Sequence, residues 1–356
     1  MPDVVFAIPG DIDTPTGGYA YDRRVLALLP ECGLPARHLP LPGSFPFAPV
    51  PDLAMAGRAL GQTPEEAVVL VDGLAYGALT DIVLKDLHRR FVALVHHPLA
   101  LETGLPERRR RALVESERAA LARAVAVIVT SPLTARILAA DYDVPAQKIT
   151  VAVPGTDPAP RATGGGEPPS ILAVGAVSPR KAYGVLVEAM ALLADLPWRL
   201  RILGATDRAP EEADRVAAGI RDRRLAGRIA LEGAQPDEAL QAAYGAADLF
   251  VMPSLFEGYG MVLAEAMARG LPIVCTTGGA AAETVPDAAA LKVAPGDAGA
   301  LAAALRLVIC DPALRARLAD ASLAAGRALP TWTDTARRIA DVVRGAMTAP
   351  IPGASR

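Results

Sequence analysis

Short apolar runs alternate with helical stretches along almost the whole chain. That alternation restricts it to parallel α/β sheets, because each crossover between parallel strands needs a helix-length connection. In the first half the strand candidates are Val4–Ile8, Ala36–Leu39, Ala67–Val71, Phe91–Val95, Ala126–Val129 and Ile149–Val153. Helical patterns such as Gly18–Leu29, Leu79–Arg89, Glu107–Ala122 and Pro132–Ala140 lie between them. The segment Pro158–Pro169 breaks the pattern; its Pro/Gly content forms no core, so it reads as an interdomain linker. A second series follows: Ile171–Val174, Trp198–Leu203, Arg228–Leu231, Leu249–Met252, Ile273–Thr276 and Leu291–Val293, with helices from about Ala182, Glu211, Asp237, Met261 and Asp297. The expected organisation is two parallel-sheet domains, residues 1–157 and 170–332, joined by the linker 158–169. Residues 333–356 hold a final amphipathic helix, about Asp334–Ala346. A chain of 356 residues suits two domains at ~150 residues each.

Composition narrows the partners. The net charge of −3 offers no global basic field for nucleic acid. Three widely spaced cysteines, Cys32, Cys275 and Cys310, have no metal-binding spacing and read as buried thiols in a reducing compartment. The N-terminus enters a strand directly, without a basic segment ahead of an apolar run, and no apolar run reaches membrane-spanning length. The expected location is cytoplasmic. Arginine is the default cation, 32 against four lysines, so the lysine of Arg180-Lys181 stands out as a compact charge on a flexible stem.

The chemistry concentrates in Leu255-Phe-Glu-Gly-Tyr-Gly-Met-Val-Leu-Ala-Glu265, after an apolar strand and at the start of a helix. Gly258 and Gly260 fall at the helix N-terminus, where free N–H groups and a partial positive charge suit a phosphate. Glu257 precedes the helix and Glu265 lies inside it, placed to grip hydroxyl groups on either side of a bound diphosphate. A nucleotide-sugar has that layout. Arg180 and Lys181 follow the strand Ile171–Val174, on the side of a parallel sheet where ligands bind, and could counter the charge of a diphosphate leaving group without a metal. In the first domain, Gly17-Gly18 lies between the first strand and its helix, and His96-His97 ends the strand Phe91–Val95. A neutral imidazole there could hydrogen-bond a sugar hydroxyl or help position an acceptor. Asp11-Ile-Asp13 reads as loop polarity.

The Glu257/Glu265 pair, in this setting, resembles the Glu-x7-Glu signature of retaining glycosyltransferases of the GT-B fold, family 4 in particular. Arg180-Lys181 resembles the family's Arg-Lys-Gly element, with Ala182 in place of the usual glycine, and Gly17-Gly18 resembles its N-terminal Gly-Gly loop. The resemblance implies two Rossmann-like domains facing each other across a cleft, with the terminal helix crossing back to the first. It implies that Arg180 and Lys181 hold the diphosphate, and that Glu257 with Gly258, Tyr259, Gly260, Met261 and Val262 holds sugar and phosphate. Glu265 would hold the ribose. Gly17 and Gly18 would approach the donor phosphates. His96, with His97 in reserve, would lie near the transferred sugar and the acceptor. Thr277-Gly-Gly-Ala-Ala-Ala-Glu283 would support the donor sugar.

The implied activity is transfer of a sugar from a nucleotide-diphosphate sugar to an acceptor hydroxyl, with no cofactor and no essential metal. The acceptor, whether glycan, lipid or small molecule, stays unassigned. The rival readings are a nucleotide-sugar epimerase or hydrolase of the same fold and a non-catalytic nucleotide-sugar-binding protein. Arg108, Arg109, Arg110 and Arg111 open a helix; such a run is usually a solvated face, and contact with anionic lipid headgroups is the alternative.

Overall fold

The computed structural model describes residues 4–85 and 87–351. The chain forms two compact units, Met1–Gly155 with Pro330–Arg356, and Thr156–Leu329.

The first unit carries six parallel strands: β1 (Val4–Pro9), β2 (Ala36–Leu41), β3 (Val68–Asp72), β4 (Arg90–Val95), β5 (Ala126–Val129) and β6 (Ile149–Val151). Their order is β2-β1-β3-β4-β5-β6. Every residue of β1 and β3 is buried, as expected of strands covered on both faces by helices. The second unit repeats the architecture with β7 (Ser170–Val174), β8 (Arg199–Leu203), β9 (Ile229–Leu231), β10 (Leu249–Met252), β11 (Ile273–Thr276) and β12 (Ala290–Val293). Here the order is β12-β11-β10-β7-β8-β9, again all parallel.

The terminal helix, Trp332–Met347, belongs to the first unit. Thr331 and Asp334 form a reciprocal capping box at its start. Trp332, Thr335, Ala336, Ile339, Ala340, Val343 and Ala346 make one buried stripe at helical spacing. Thr335 Oγ1 donates to the Val153 carbonyl (2.8 Å), and Trp332 meets the ring of Tyr21 edge-on. A Cβ on Gly155 would come within 2.2 Å of the Trp332 nitrogen, so the chain can pass there only as glycine.

Three expectations need correction. The segment 158–169 is not a free linker. The Asp248 carboxylate accepts from the N–H groups of Gly165 (2.6 Å) and Ser170 (2.7 Å), and the N–H groups of Ala162 and Thr163 bond to the carbonyls of Arg269 and Gly245. A segment without a core still has backbone donors to satisfy, and the second unit satisfies them. The chain therefore passes between units at 155/156 and 329/330. The helix expected over Leu79–Arg89 is replaced, among the described residues, by single turns at Gly73–Tyr76 and Asp81–Leu84. Asp72 starts the first by accepting from the Leu74 N–H (2.6 Å), and the buried Arg89 is drawn away by bonds to the carbonyls of Gly61 and Thr63. Of the cysteines only Cys275 is buried; Cys32 is half-buried in a short turn and Cys310 is exposed at a helix end.

Candidate active site

Open parallel sheets bind ligands beyond the carboxyl ends of their strands, where the strand order reverses. In the first unit the reversal lies between β1 and β3, in the second between β7 and β10. Gly17-Gly18, Arg180-Lys181 and Glu257–Glu265 sit in the segments leaving β1, β7 and β10, while His96-His97 leaves β4 and Thr277–Glu283 leaves β11.

In the second unit the segment after β7 makes a 3-10 turn, Pro179–Lys181, and Ala182 closes it in the left-handed conformation (φ 51°, ψ 39°). Glycine would adopt that conformation without strain, whereas alanine pays about 1–2 kcal/mol. Ala182 is buried, and one buried methyl contributes about 0.8 kcal/mol, which offsets part of that cost. The turn presents both cations to one carboxylate. Lys181 Nζ lies 2.7 Å from Glu257 Oε1, and Arg180 Nη1 lies 3.3 Å from Glu257 Oε2. The same Nη1 donates to the Phe256 carbonyl (2.7 Å), and the Arg180 carbonyl accepts from the Leu255 N–H (2.8 Å). Burial works against the ionised form of Glu257, but Lys181 and then Arg180 overcome it and bring the carboxyl down to about 2. The sequence assigned separate tasks to Glu257 and the two cations; the structure joins the buried Glu257 and the half-buried cations in one cluster of net positive charge.

Two glycines hold Glu257 in place from β11's exit. Glu257 pairs with Gly279: its N–H donates to the Gly278 carbonyl (3.2 Å), and its own carbonyl accepts from the Ala280 N–H (2.8 Å). Gly279 has φ +64°, and a Cβ there would lie 2.4 Å from the Glu257 carbonyl oxygen. The Thr277–Glu283 segment thus acts on Glu257 itself. Gly260, at φ 92°, turns the chain into the helix Met261–Ala268 with no side-chain cap, so the first-turn N–H groups of Met261 and Val262 stay open to a ligand. Gly258, Tyr259, Met261 and Val262 are half-buried around it. Glu265, inside the helix, accepts from the Tyr244 hydroxyl (2.8 Å); burial raises its pKa above the ordinary value.

In the first unit Thr16 caps the helix Gly17–Leu28, so Gly17 and Gly18 form its first turn. Gly18 lies against His96, where an added Cβ would approach the ring's Cδ2 to 3.4 Å. His96 follows β4 directly. Its Nε2 is 3.2 Å from Asp22 Oδ1 and 3.7 Å from Asp72 Oδ2. Both aspartates are buried, Asp22 on the Gly17–Leu28 helix and Asp72 at the end of β3. A carboxylate facing Nε2 requires a proton on that nitrogen, so the three groups form a hydrogen-bonded cluster. His97 instead turns to Glu102 (3.7 Å). Sequence reasoning missed Asp22, Asp72 and Tyr244 as parts of the site; it named Gly278 and Gly279 within the Thr277–Glu283 segment, but as support for the donor sugar rather than for Glu257. Asp72 carried a signal, an acidic residue ending an apolar strand on the ligand side of the sheet. Arg110 and Arg111 pair with Glu107 of their own helix, and Arg109 lies over the Phe47 ring.

The family model for glycosyl transferases group 1 matches residues 160–323, and that for glycosyltransferase family 4 matches residues 21–160. The chain belongs to the group 1, family 4 glycosyltransferases. Among relatives of this family 4 chain, D-inositol 3-phosphate glycosyltransferase from Nocardioides sp. is 31% identical over 286 residues, spanning 72% of this chain and 60% of that protein. Sucrose-phosphate synthase from Thermosynechococcus elongatus superposes with a TM-score of 0.81 at 22% identity, over 96% of this chain and 98% of that one. Anabaena Alr3699/HepE in complex with UDP-glucose gives a TM-score of 0.77 at 17% identity, over 96% and 99%. These likenesses establish two Rossmann-like domains of the GT-B type. The chain spans little more than half the length of the curated relatives it matches. No helix among the described residues is long and apolar enough to cross a membrane.

Proposed function

We propose that this family 4 chain is a retaining, metal-independent glycosyltransferase that moves a sugar from a nucleotide-diphosphate sugar to an acceptor hydroxyl. The observation that carries the reading is the Arg180–Lys181–Glu257 cluster at the β7/β10 switch point, beside the open N-terminus of the Met261–Ala268 helix. Two cations against one carboxylate leave a net positive charge. A diphosphate entering there meets that charge and the helix N–H groups, and competes with Glu257 for Lys181. As the acceptor oxygen bonds to the anomeric carbon, the carbon–oxygen bond to phosphate breaks and its electron pair passes to the diphosphate. Fixed cations stabilise that developing charge. The acceptor proton goes to a leaving phosphate oxygen, so no protein nucleophile is assigned. Glu257, released from Lys181, holds sugar hydroxyls, and Glu265, anchored by Tyr244, holds the ribose. A nucleotide-sugar donor is supported by the UDP-glucose complex of a structural neighbour.

A thermal-shift screen of nucleotide-sugars identifies the donor, since stabilisation follows RT ln(1 + [L]/Kd), about 2.7 kcal/mol at a hundredfold excess over Kd. With that donor, turnover should survive exhaustive chelation; activity lost in EDTA and restored by Mg²⁺ or Mn²⁺ removes the metal-free account. Proton NMR of the first-formed product should show the donor's anomeric configuration retained, and an inverted product places the chain in another mechanistic class. Donor consumed without an acceptor, as free sugar or as an epimer, points to the hydrolase or epimerase instead.

A further inference from the structure

The switch point of the first unit holds a group that no part of the donor chemistry uses. Asp22 is fully buried and Asp72 almost so, yet both carboxylates converge on one nitrogen of one histidine. Burying two carboxylates side by side is costly unless a cation or proton lies between them. We infer that Asp22 and Asp72 are positioning residues for His96, pinning its Nε2 inward and leaving Nδ1 as the hydrogen-bond donor presented to substrate.

The ring is held on several sides. Nε2 faces the two carboxylates, Tyr21 meets the ring edge-on at 5.3 Å between centroids, and Gly18 lies against Cδ2. Thr130 Oγ1 donates to the His96 carbonyl (3.0 Å), which fixes the backbone beneath it. Every hydrogen bond of the ring among the described residues runs through Nε2, and the side chain keeps one-fifth of its surface exposed (20%). Nδ1 is the nitrogen left over.

The protonation state follows from the same neighbours. Burial disfavours the imidazolium, but Asp22 and Asp72 outweigh it and bring His96 up to about 10. Asp72 stays below its ordinary value; burial opposes this and the bond to His96 prevails. Asp22 is pushed upward, by burial first and then by Asp72. The other titratable groups close by are Tyr21, whose hydroxyl donates to the Ala152 carbonyl, and His97, which turns to Glu102. At neutral pH His96 is therefore doubly protonated, and Nδ1–H carries a charge toward whatever oxygen it meets. That differs from the neutral imidazole expected from the sequence: the ring donates from Nδ1. This inference rests on the glycosyltransferase reading only in taking that oxygen to belong to a sugar or an acceptor.

The test is the imidazole ¹⁵N–¹H NMR spectrum of the full chain, titrated from pH 5.5 to 9, with His96→Gln to assign the His96 signals. Both ring nitrogens should show imidazolium shifts with no midpoint between pH 6 and 8. Asp72→Asn and Asp22→Asn, nearly isosteric and checked for folding by thermal melts, should each bring a midpoint down by one pH unit or more. In steady-state kinetics Asp72→Asn should lower kcat on the order of tenfold or more while donor KM moves less than twofold. A wild-type midpoint near 6.5, or a neutral ring protonated on Nδ1 alone, overturns the inference and needs no variant. Stoichiometric broadening of the His96 signals by Mn²⁺ also overturns it, by making the cluster a cation site. The spectrum requires no substrate, so absent sugar transfer with the expected spectrum would refute the functional reading and spare the clamp.

Discussion

Lys181→Ala should lower kcat by about 100-fold or more and destabilise the protein by roughly 1–3 kcal/mol at pH 7. Both effects come from Glu257. With Lys181 gone, a buried carboxylate loses its closer cation and keeps Arg180 at 3.3 Å, and the leaving diphosphate loses its point charge. The folded state holds Glu257 near 2, below its value of 4.5 in an open chain. The cluster therefore stabilises fully above pH 4.5, by about 3 kcal/mol, and this contribution is lost as pH falls toward 2. Denaturant titrations of parent and variant should accordingly draw together below pH 4.5, the gap being about halved by pH 3. Lys181→Arg should fall between the two in turnover, since a planar fork cannot occupy the place of an ammonium 2.7 Å from Oε1. Curves that stay parallel from pH 7 to 3, with unchanged kcat, would make Lys181 an ordinary surface cation.

Gly279→Ala should be more damaging than its single methyl suggests. At φ +64° alanine costs about 1–2 kcal/mol, and its Cβ would lie 2.4 Å from the Glu257 carbonyl oxygen and 2.7 Å from the Glu257 nitrogen. Neither atom is the end of a flexible side chain, so the Glu257 backbone must shift. We expect at least about 2 kcal/mol of destabilisation and a large loss of donor-induced thermal shift. Gly227→Ala is the control: nothing lies within 4 Å of its added methyl, and its effect should stay within about 0.5 kcal/mol. Equal melting temperatures for the two variants would mean that the Gly278–Gly279 turn does not hold Glu257.

What could be read from the sequence tracks what each residue's neighbours along the chain decide. The strand periodicity located the twelve strands seen among the described residues, because each apolar run carries its own pattern. Arg180, Lys181, Glu257 and Glu265 were singled out because their signal is local: a strand, a turn and a helix start. Their pairing was not legible, since residues 180 and 257 meet only through the β7–β10 neighbourhood. For the same reason Asp22 and Asp72 appeared as an ordinary helix residue and a strand end, although the β1–β3–β4 order brings them together at His96. The Leu79–Arg89 helix failed because buried Arg89 answers to carbonyls more than twenty residues away.

The division of the chain also sets an order of assembly during synthesis. The second unit is one continuous stretch, so it has all its residues once Leu329 has left the ribosome. The first unit begins earlier and finishes later. Its sheet is translated by Val151, but the stripe that covers Tyr21, and the donor to the Val153 carbonyl, arrive only with Trp332–Met347. Throughout translation of the second unit, the oldest part of the chain waits with apolar surface uncovered. The unit made first is thus the one most in need of chaperone cover, and a pause or truncation near residue 330 would strand it open while its neighbour is complete.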